Sequence, residues 1–592
     1  MLLCRDCPKL ILLIAGLAAA PFVYAQPADL KPVAPIMECS QLAKVDLSGL
    51  KHAPAYISSA ETVGDAAGGG YCRILGYVKP QVKFEVRLPL KSWTQRYLQT
   101  GCGGLCGNLN IRISKADGCA IAERGELALA STDMGHSSSE AAWQLDAQKR
   151  IDFAYRGVHV TAVVAKALIE KFYGQKPRYS YFSGCSDGGR EALMEAQRFP
   201  EDFNGIAAGA PAMNFITQNT FYHAWNARIN TGADGRPILT AAKLPVIHAA
   251  AVAACDEIDG LKDGLIADPR ACRFDPAAAQ CKPGQDAASC LSPEEVRVAR
   301  EIYRGAHDGQ GRMLVISGPQ PGSELAWEGV YIPAFPGQNI MSPQISTEVI
   351  KYMAFQKNPP PNFTLPDFRF DLETFRQIAP MHAIYDSTNP DLSSFWKLGG
   401  KLILWHGWAD SHISPLNTIA YYKAMQEVMG EQRVAEFARL YMFPGGYHCN
   451  GGEGPFNFDL LSPLFAWVER GLAPHALIAS TEPAGGRGAP GAPAGRGPAR
   501  AEAGRNQTQQ AASRGPSAQP AVKRTRPVFP YPLVARYKGS GSLDDAASFE
   551  AARPVTSLPE KFDWAGSSFF APGYEKWCTA QGQDWECSST RK

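Results

Sequence analysis

Residues 83–100, KFEVRLPLKSWTQRYLQT, alternate apolar and polar positions as a strand does and lead into the glycine-rich GCGGLCGN. Residues 151–173, IDFAYRGVHVTAVVAKALIEKFY, repeat apolar groups at helical spacing. YSYFSG (179–184) then predicts a short buried strand, and REALMEAQRF (190–199) the helix after it. KLILWHGWAD (401–410) is another strand running into a loop, followed by the helical NTIAYYKAMQEVM. Strands alternating with helices predict an α/β domain around a mostly parallel sheet. Between about 214 and 390 the periodicity changes: prolines, glycines, aromatics and four cysteines accumulate with little strand pattern. This predicts an inserted lid, splitting the α/β body into 26–213 and 391–482. Residues 483–523 are rich in Ala, Gly, Pro and Arg, hold no aromatic residue and cannot bury a core, which predicts a flexible low-complexity linker. Its arginines could touch an anionic surface, but a solvated linker is the favoured reading. The last stretch, 524–592, opens with RPVFPYPLVARYKGSG, apolar enough to dock back on the body.

Composition narrows the class. The 592 residues are too many for one ordinary core. With 45% apolar and 20% charged residues and a formal net charge of +2, nothing global points to nucleic acid or to a strongly acidic partner. Arg5 and Lys9 precede LILLIAGLAAAPFV, and VYA ends at Ala25 with small residues at the cleavage positions, so residues 1–25 read as a removed signal peptide and the protein as secreted or periplasmic. No later segment offers about 18 uninterrupted apolar residues, so no membrane span is expected. Of the 15 cysteines, Cys4 and Cys7 leave with the signal and 13 remain. In an oxidising compartment these are mostly disulfides, and the odd number leaves at least one thiol unpaired in a monomer; Cys102, Cys106 and Cys119 are where it is expected. A zinc reading of CGGLC competes, but export and the want of a second chelating pair nearby favour disulfides.

The chemistry begins at Gly184-Cys185-Ser186-Asp187-Gly188, which fits G-x-S-x-G after a strand and before a helix. Small residues on both sides let the backbone turn sharply and present the hydroxyl at the strand's C-terminal end. A serine nucleophile needs a base and an orienting carboxylate, in the order Ser, Asp, His for this architecture. Asp410 in LILWHGWADSHISP and His448 in YMFPGGYHCNGG both sit in loops after apolar strands, where sites on open α/β sheets lie. His406 and His412 crowd the acid position. Cys185 precedes the serine and Cys449 follows the histidine. A bond between them would hold the two loops with Cα atoms about 5.5–6 Å apart and bring Ser186 within reach of His448. One oxyanion donor is expected from the backbone N–H of Asp187, the residue after the nucleophile, and another from the glycine loop GCGGLCG. In CDEIDGLKDGL, Asp256, Asp259 and Asp263 lie close together, with Gly260 and Gly264 permitting turns. Oxygen-rich ligation of this kind suits calcium, although the spacing is not that of an EF-hand.

These stretches, GCSDGGREALMEAQRFP, HGWAD, PGGYHC, ACDEIDGLKDGLI and RPVFPYPLVARYKGSG, together resemble the tannase and feruloyl esterase family, which includes the mono(hydroxyethyl) terephthalate hydrolases. The resemblance implies an α/β-hydrolase body with a large lid, the triad Ser186, Asp410 and His448, and the Cys185–Cys449 bond. It places the second oxyanion donor at Gly104, with Gly103 the alternative. It implies a structural Ca2+ in the lid, held by Asp256, Asp259 and Asp263 with backbone oxygens of Leu261 and Leu265, and no organic cofactor. It suggests the bonds Cys39–Cys72, Cys255–Cys272 and Cys281–Cys290. A family disulfide near the C-terminus is missing here, its positions being Phe529 and Ala551; Cys578 and Cys587, in an added tail, are expected to pair instead.

The activity implied is hydrolysis of small esters of aromatic acids through an acyl-enzyme. Members that cleave the terephthalate ester hold its free carboxylate with a lid arginine, and none occurs here between Arg312 and Arg369, although Lys351 does. Feruloyl, hydroxycinnamoyl or galloyl esters are therefore expected ahead of the terephthalate ester, with Trp327, Tyr331, Phe335, Tyr352 and Phe355 as candidates for stacking on the ring, the alternative for several of them being lid core. The alternatives are a terephthalate-type hydrolase, a lipase or peptidase with the same triad, and a calcium-stabilised secreted binding protein with an inactive site.

Overall fold

The structure is a computed structural model that describes residues 25–64, 69–482, 523–555 and 561–590. All but the last residue of the signal segment and all but the last of the linker lie outside the described residues. The main sheet has nine strands among the described residues: β1 (Ala55–Val63), β2 (Tyr71–Val78), β3 (Val82–Pro89), β4 (Arg96–Thr100), β5 (Leu127–Thr132), β6 (Tyr179–Cys185), β7 (Gly205–Gly209), β8 (Lys401–Gly407) and β9 (Ala438–Phe443). Their order is β1-β2-β3-β5-β4-β6-β7-β8-β9. β1, β2, β3 and β5 pair antiparallel; from β5 through β9 every pairing is parallel. The stretch 83–100, expected to hold one strand, forms two. It breaks after Pro89, which lacks the N–H a ladder needs, and β3 and β4 end up on opposite sides of β5.

Burial patterns follow from this arrangement. β2 alternates half-buried and buried positions, as a strand with one covered face should, whereas β4 and β7 are buried throughout. Neighbouring residues on the central strands feed two separate cores. Phe182, Ile206, Leu402 and Leu404 join the core that contains the helix Gly157–Tyr173, while Tyr181, Ala207 and Ile403 join the one that contains the helix Leu461–Arg470. A mostly parallel sheet covered on both faces is the α/β-hydrolase arrangement, and it gathers the loops after β4, β6, β8 and β9 at one edge.

The lid enters between β7 and β8. It is helical, with Leu244–Cys255, Pro293–Arg304 and Met341–Tyr352 as its longer elements. The second of these starts as its sequence predicts: Ser292 caps the N–H of Glu295, Glu295 reaches back to Ser292, and Pro293 follows the cap. The lid has its own core of Leu239, Ile247, Val298, Ile302, Trp327 and Tyr331, and is stapled by Cys255–Cys272 and Cys281–Cys290. At the C-terminal end, Leu477–Ser480 pairs with Thr525–Val528 across the linker, and Tyr531 N–H donates to Leu440 of β9 at 2.7 Å. The final hairpin, Trp577–Gln581 with Asp584–Ser588, carries the Cys578–Cys587 bridge and packs against Tyr155 and Arg198.

Candidate active site

β6 delivers Ser186 and the helix Asp187–Arg198 starts immediately after it. Ser186 has φ 66° and ψ −122°, a backbone state that costs a non-glycine residue of order 1–3 kcal/mol and marks sites where geometry is enforced. Two glycines show why the turn closes. A Cβ at Gly184 would sit 2.2 Å from the carbonyl oxygen of Gly188, and one at Gly188 would meet the oxygen of Cys102 at 2.8 Å. The loop after β4 is drawn onto the elbow by the bond from Gly188 N–H to Cys102 O, 2.8 Å.

The loops after β8 and β9 bring in the acid and the base. His448 Nδ1 lies 2.7 Å from Asp410 Oδ2. His406 Nε2 lies 3.0 Å from the same oxygen, and the N–H groups of His412 and Ile413 donate to Asp410 Oδ1 at 2.8 and 3.0 Å. Burial of Asp410 opposes ionisation, but the charge of His448 and the hydrogen bonds from His406 and His448 outweigh it and hold the carboxyl far below its usual range. With Nδ1 engaged, His448 has Nε2 left for a hydroxyl.

Cys185 and Cys449 are bridged, with Cα atoms 5.9 Å apart and a sequence separation of 264. The bridge joins the residue before Ser186 to the residue after His448. Replacing both cysteines by serine is expected to remove about 2–4 kcal/mol of stability, because so long a loop is released. Turnover should fall with it, because nucleophile and base lose their common tether. Calorimetry and kcat measured on the double variant check this, and so does a thiol count finding neither cysteine reactive in the wild type.

The oxyanion candidates come from two different segments of the chain. Asp187 N is at the helix start, and Gly104, at φ 62°, is exposed in the loop after β4. Neither N–H has an acceptor among the described residues. The Asp187 side chain braces the structure instead. Arg190 Nε and Nη2 grip its two oxygens at 2.6 and 3.0 Å, while Nη1 donates to the carbonyl of Ala154 and Nη2 also to that of Phe153.

The sequence reading placed His406 and His412 only as crowding the acid position, and the structure gives their contacts. His406 is a buried second donor to Asp410, and its other nitrogen contacts Thr418 Oγ1 at 2.7 Å. His412 stacks on His448 with ring centroids 4.4 Å apart and planes 15° from parallel. Lid residues also hold the acid loop: Ser411 Oγ donates to Ala326 O, Tyr222 OH to Ser411 O, and Gln218 to His412 O. H-x-x-x-D at the end of a strand was the one available signal for His406; the lid contacts had none.

Two of the expected stacking residues prove to be lid core. Trp327 and Tyr331 are fully buried, and the indole of Trp327 donates to Ser323 Oγ at 2.9 Å. Phe335 is exposed, and Tyr352 and Phe355 are half-buried.

In the acidic loop, burial and then the neighbouring Asp263 and Asp256 push the Asp259 carboxyl up to about 6. Asp256 accepts from the N–H groups of Asp263 and Gly264, and Asp263 is ion-paired to Arg526. The donor chemistry fits a hard cation, with Arg526 already neutralising part of the charge. Cys39–Cys72 is also bridged, with Cα atoms 5.5 Å apart.

A sequence model of the family described as "Tannase and feruloyl esterase" matches residues 66–552. The chain is 31% identical to a mono(2-hydroxyethyl) terephthalate hydrolase of Piscinibacter sakaiensis, over 80% of this chain and 82% of that one. It is 31% identical to a probable feruloyl esterase B-2 of Aspergillus flavus, over 69% and 79%. The crystal structure of feruloyl esterase B from Aspergillus oryzae superposes with a TM-score of 0.69 at 26% identity, over 87% of this chain and 100% of that one.

Proposed function

The chain belongs to the tannase and feruloyl esterase family and is a carboxylic ester hydrolase of that type, and we propose that it works through a serine acyl-enzyme with Ser186 as nucleophile. One observation carries this reading: the Asp410–His448 pair is tied through Cys449–Cys185 to a serine in a strained strand-to-helix turn.

Ser186 Oγ attacks the ester carbonyl while His448 Nε2 takes its proton. Asp410 keeps the imidazole in the tautomer that can accept and stabilises the cation formed. The N–H groups of Gly104 and Asp187 receive the developing oxyanion. The tetrahedral species collapses as His448 gives the proton to the leaving alcohol. Water then attacks the acyl carbonyl as His448 removes its proton, and the second tetrahedral species collapses as His448 gives that proton to Ser186 Oγ, releasing the acid and regenerating the serine.

For substrate, the same reading favours hydroxycinnamoyl or galloyl esters over mono(hydroxyethyl) terephthalate. No arginine occurs between Arg312 and Arg369 to fork onto a free carboxylate, and Lys351 is a flexible point charge that cannot substitute for one. Values of kcat/KM on methyl ferulate, methyl gallate and mono(hydroxyethyl) terephthalate test it. A clear preference for the terephthalate ester would overturn the substrate assignment and leave the mechanism standing. A serine-directed phosphonate that labels Ser186 separates an enzyme from a binding protein with an inactive site.

Calcium would be held by Asp256, Asp259 and Asp263 with the carbonyl oxygens of Leu261 and Leu265, supplying charge neutralisation to the lid and no step of the reaction. A ligand bound only to the folded state stabilises it. Chelation, or Asp256→Asn with Asp259→Asn, is therefore expected to lower the melting temperature while leaving the triad chemistry in the remaining folded protein. Elemental analysis without calcium, together with a melting curve indifferent to chelator, would rule the metal out. Six bridged cysteine pairs among the described residues support export, since such bonds persist in oxidising compartments.

A further inference from the structure

The unassigned motif is CGGLC. Of the three cysteines left open by the sequence, Cys102 and Cys106 are bridged, with Cα atoms 5.4 Å apart, and Cys119 is the buried free thiol among the described residues. The bridge encloses Gly103, Gly104 and Leu105, so it brackets the loop that offers the second oxyanion donor.

That donor sits on the most permissive backbone available. Gly103 and Gly104 are consecutive glycines, both exposed, and Gly104 occupies the left-handed region at φ 62°. An oxyanion donor must be held about 2.7–3.1 Å from an atom that bears full charge only in the transition state. Hydrogen bonds pin the margins of the loop: Gly188 N–H to Cys102 O at 2.8 Å, Cys106 N–H to Gly103 O at 3.0 Å, His136 Nε2 to Leu105 O at 2.8 Å, and Gly107 N–H to Asp133 O at 3.2 Å. None of them holds Gly104 N itself.

The bridge also faces the helix that carries the other donor. Cys102 Sγ lies 2.7 Å from Glu191 Oε1, Cys106 Sγ lies 3.3 Å from Asp187 Oδ2, and Cys102 N–H reaches Glu191 Oε2 at 3.4 Å. Burial and the adjacent Asp187 hold the Glu191 carboxyl well above its usual range. The bridge therefore places the Gly104 segment in register with the first turn of the helix and with Asp187 N. The entropy that a bridge removes from the unfolded chain grows with the loop it closes, so a separation of four contributes far less to global stability than the 264 of Cys185–Cys449.

We propose that the Cys102–Cys106 disulfide is a positioning clamp for the oxyanion loop, acting on the transition state rather than on substrate binding. The proposal deepens the serine-hydrolase reading and rests on Ser186 and Gly104 having the roles given above. A competing occupant of the same place is a divalent metal on the reduced pair, because one atom each from Cys102, Cys106, Asp187 and Glu191 lie within 4.8 Å of one another. The sequence offered no second chelating pair, and the fold brings one in from the helix. Arg190 already grips both oxygens of Asp187, which favours the disulfide.

The test compares wild type with Cys102→Ser/Cys106→Ser, which removes the bridge and leaves side chains of similar size in its place. Alkylation of denatured, unreduced wild type followed by peptide mass analysis is expected to find Cys102 and Cys106 blocked. In the variant, kcat should fall about 10–100-fold, a fraction of the loss of a whole donor, with KM nearly unchanged. Affinity for an arylboronic acid, which forms a tetrahedral anion on the serine, should fall by the same factor, and affinity for the product acid should stay as it was. The melting temperature should move less than in Cys185→Ser/Cys449→Ser. Unchanged kcat would overturn the clamp, as would equal losses in boronate and product-acid affinity, or alkylatable thiols accompanied by stoichiometric zinc. A boronate that binds wild type and Ser186→Ala equally would instead overturn the nucleophile assignment beneath it.

Discussion

Ser186→Ala is expected to lower turnover of a feruloyl or galloyl ester by about 10⁴–10⁶-fold while the protein stays folded. The size follows from what the hydroxyl does: without it no acyl-enzyme forms, and only water held near the oxyanion donors remains to attack. Folding should be spared for a local reason. Ser186 is half-buried, and its side chain makes no hydrogen bond that the elbow needs; the turn is held by backbone bonds from Ser186 N–H to Gly209 O at 3.0 Å and from Ala212 N–H to Ser186 O at 3.0 Å. Alanine also tolerates φ 66° no worse than serine. Unchanged melting with turnover lost, and no labelling by a phosphonate, is the expected result. Near-normal rates in a folded variant would reject Ser186.

The elbow and the acid and base loops were legible because their chemistry depends on local sequence. A strand, a turn of small residues and a helix form one contiguous signal, and Cys185 and Cys449 declared the contact between distant loops by flanking the residues they serve. The sheet order was not legible in the same way. The strand pattern of 83–100 contains no information on which neighbour each half finds, and Pro89 divides it so that β5 comes to lie between the two pieces. The lid aromatics misled for a related reason. Trp327 and Tyr331 carry the same composition signal whether they face a ligand or a core, and the part of the lid around them packs them into a core of its own. His406 and Glu191 are the converse: polar residues in buried runs whose meaning appears only when Asp410 or the CGGLC loop is folded against them.

Asp410→Asn carries the other large effect, an expected loss of about 10⁴-fold in kcat with a small change in KM. Asp410 is fully buried and four donors converge on it: His448 and His406 on Oδ2, the N–H groups of His412 and Ile413 on Oδ1. An amide has one acceptor oxygen. Turned toward the two backbone N–H groups, which cannot move without unravelling the loop, it presents its NH2 to the histidines. His448 must then offer a lone pair at Nδ1 and carry its proton on Nε2, the tautomer that cannot take a proton from Ser186. His406 does not take the proton from Ser186, so its own adjustment, which Thr418 Oγ1 accommodates at Nδ1 and the Ile413 carbonyl opposes at Nε2, bears on the rate only indirectly. His406→Gln is accordingly expected to lose only about 10–100-fold, the worth of one hydrogen bond to a buried charge. The pair of variants separates orientation from mere burial. Steady-state kinetics with circular dichroism of both proteins check it, and an Asp410→Asn enzyme no slower than His406→Gln would show that the orienting carboxylate lies elsewhere.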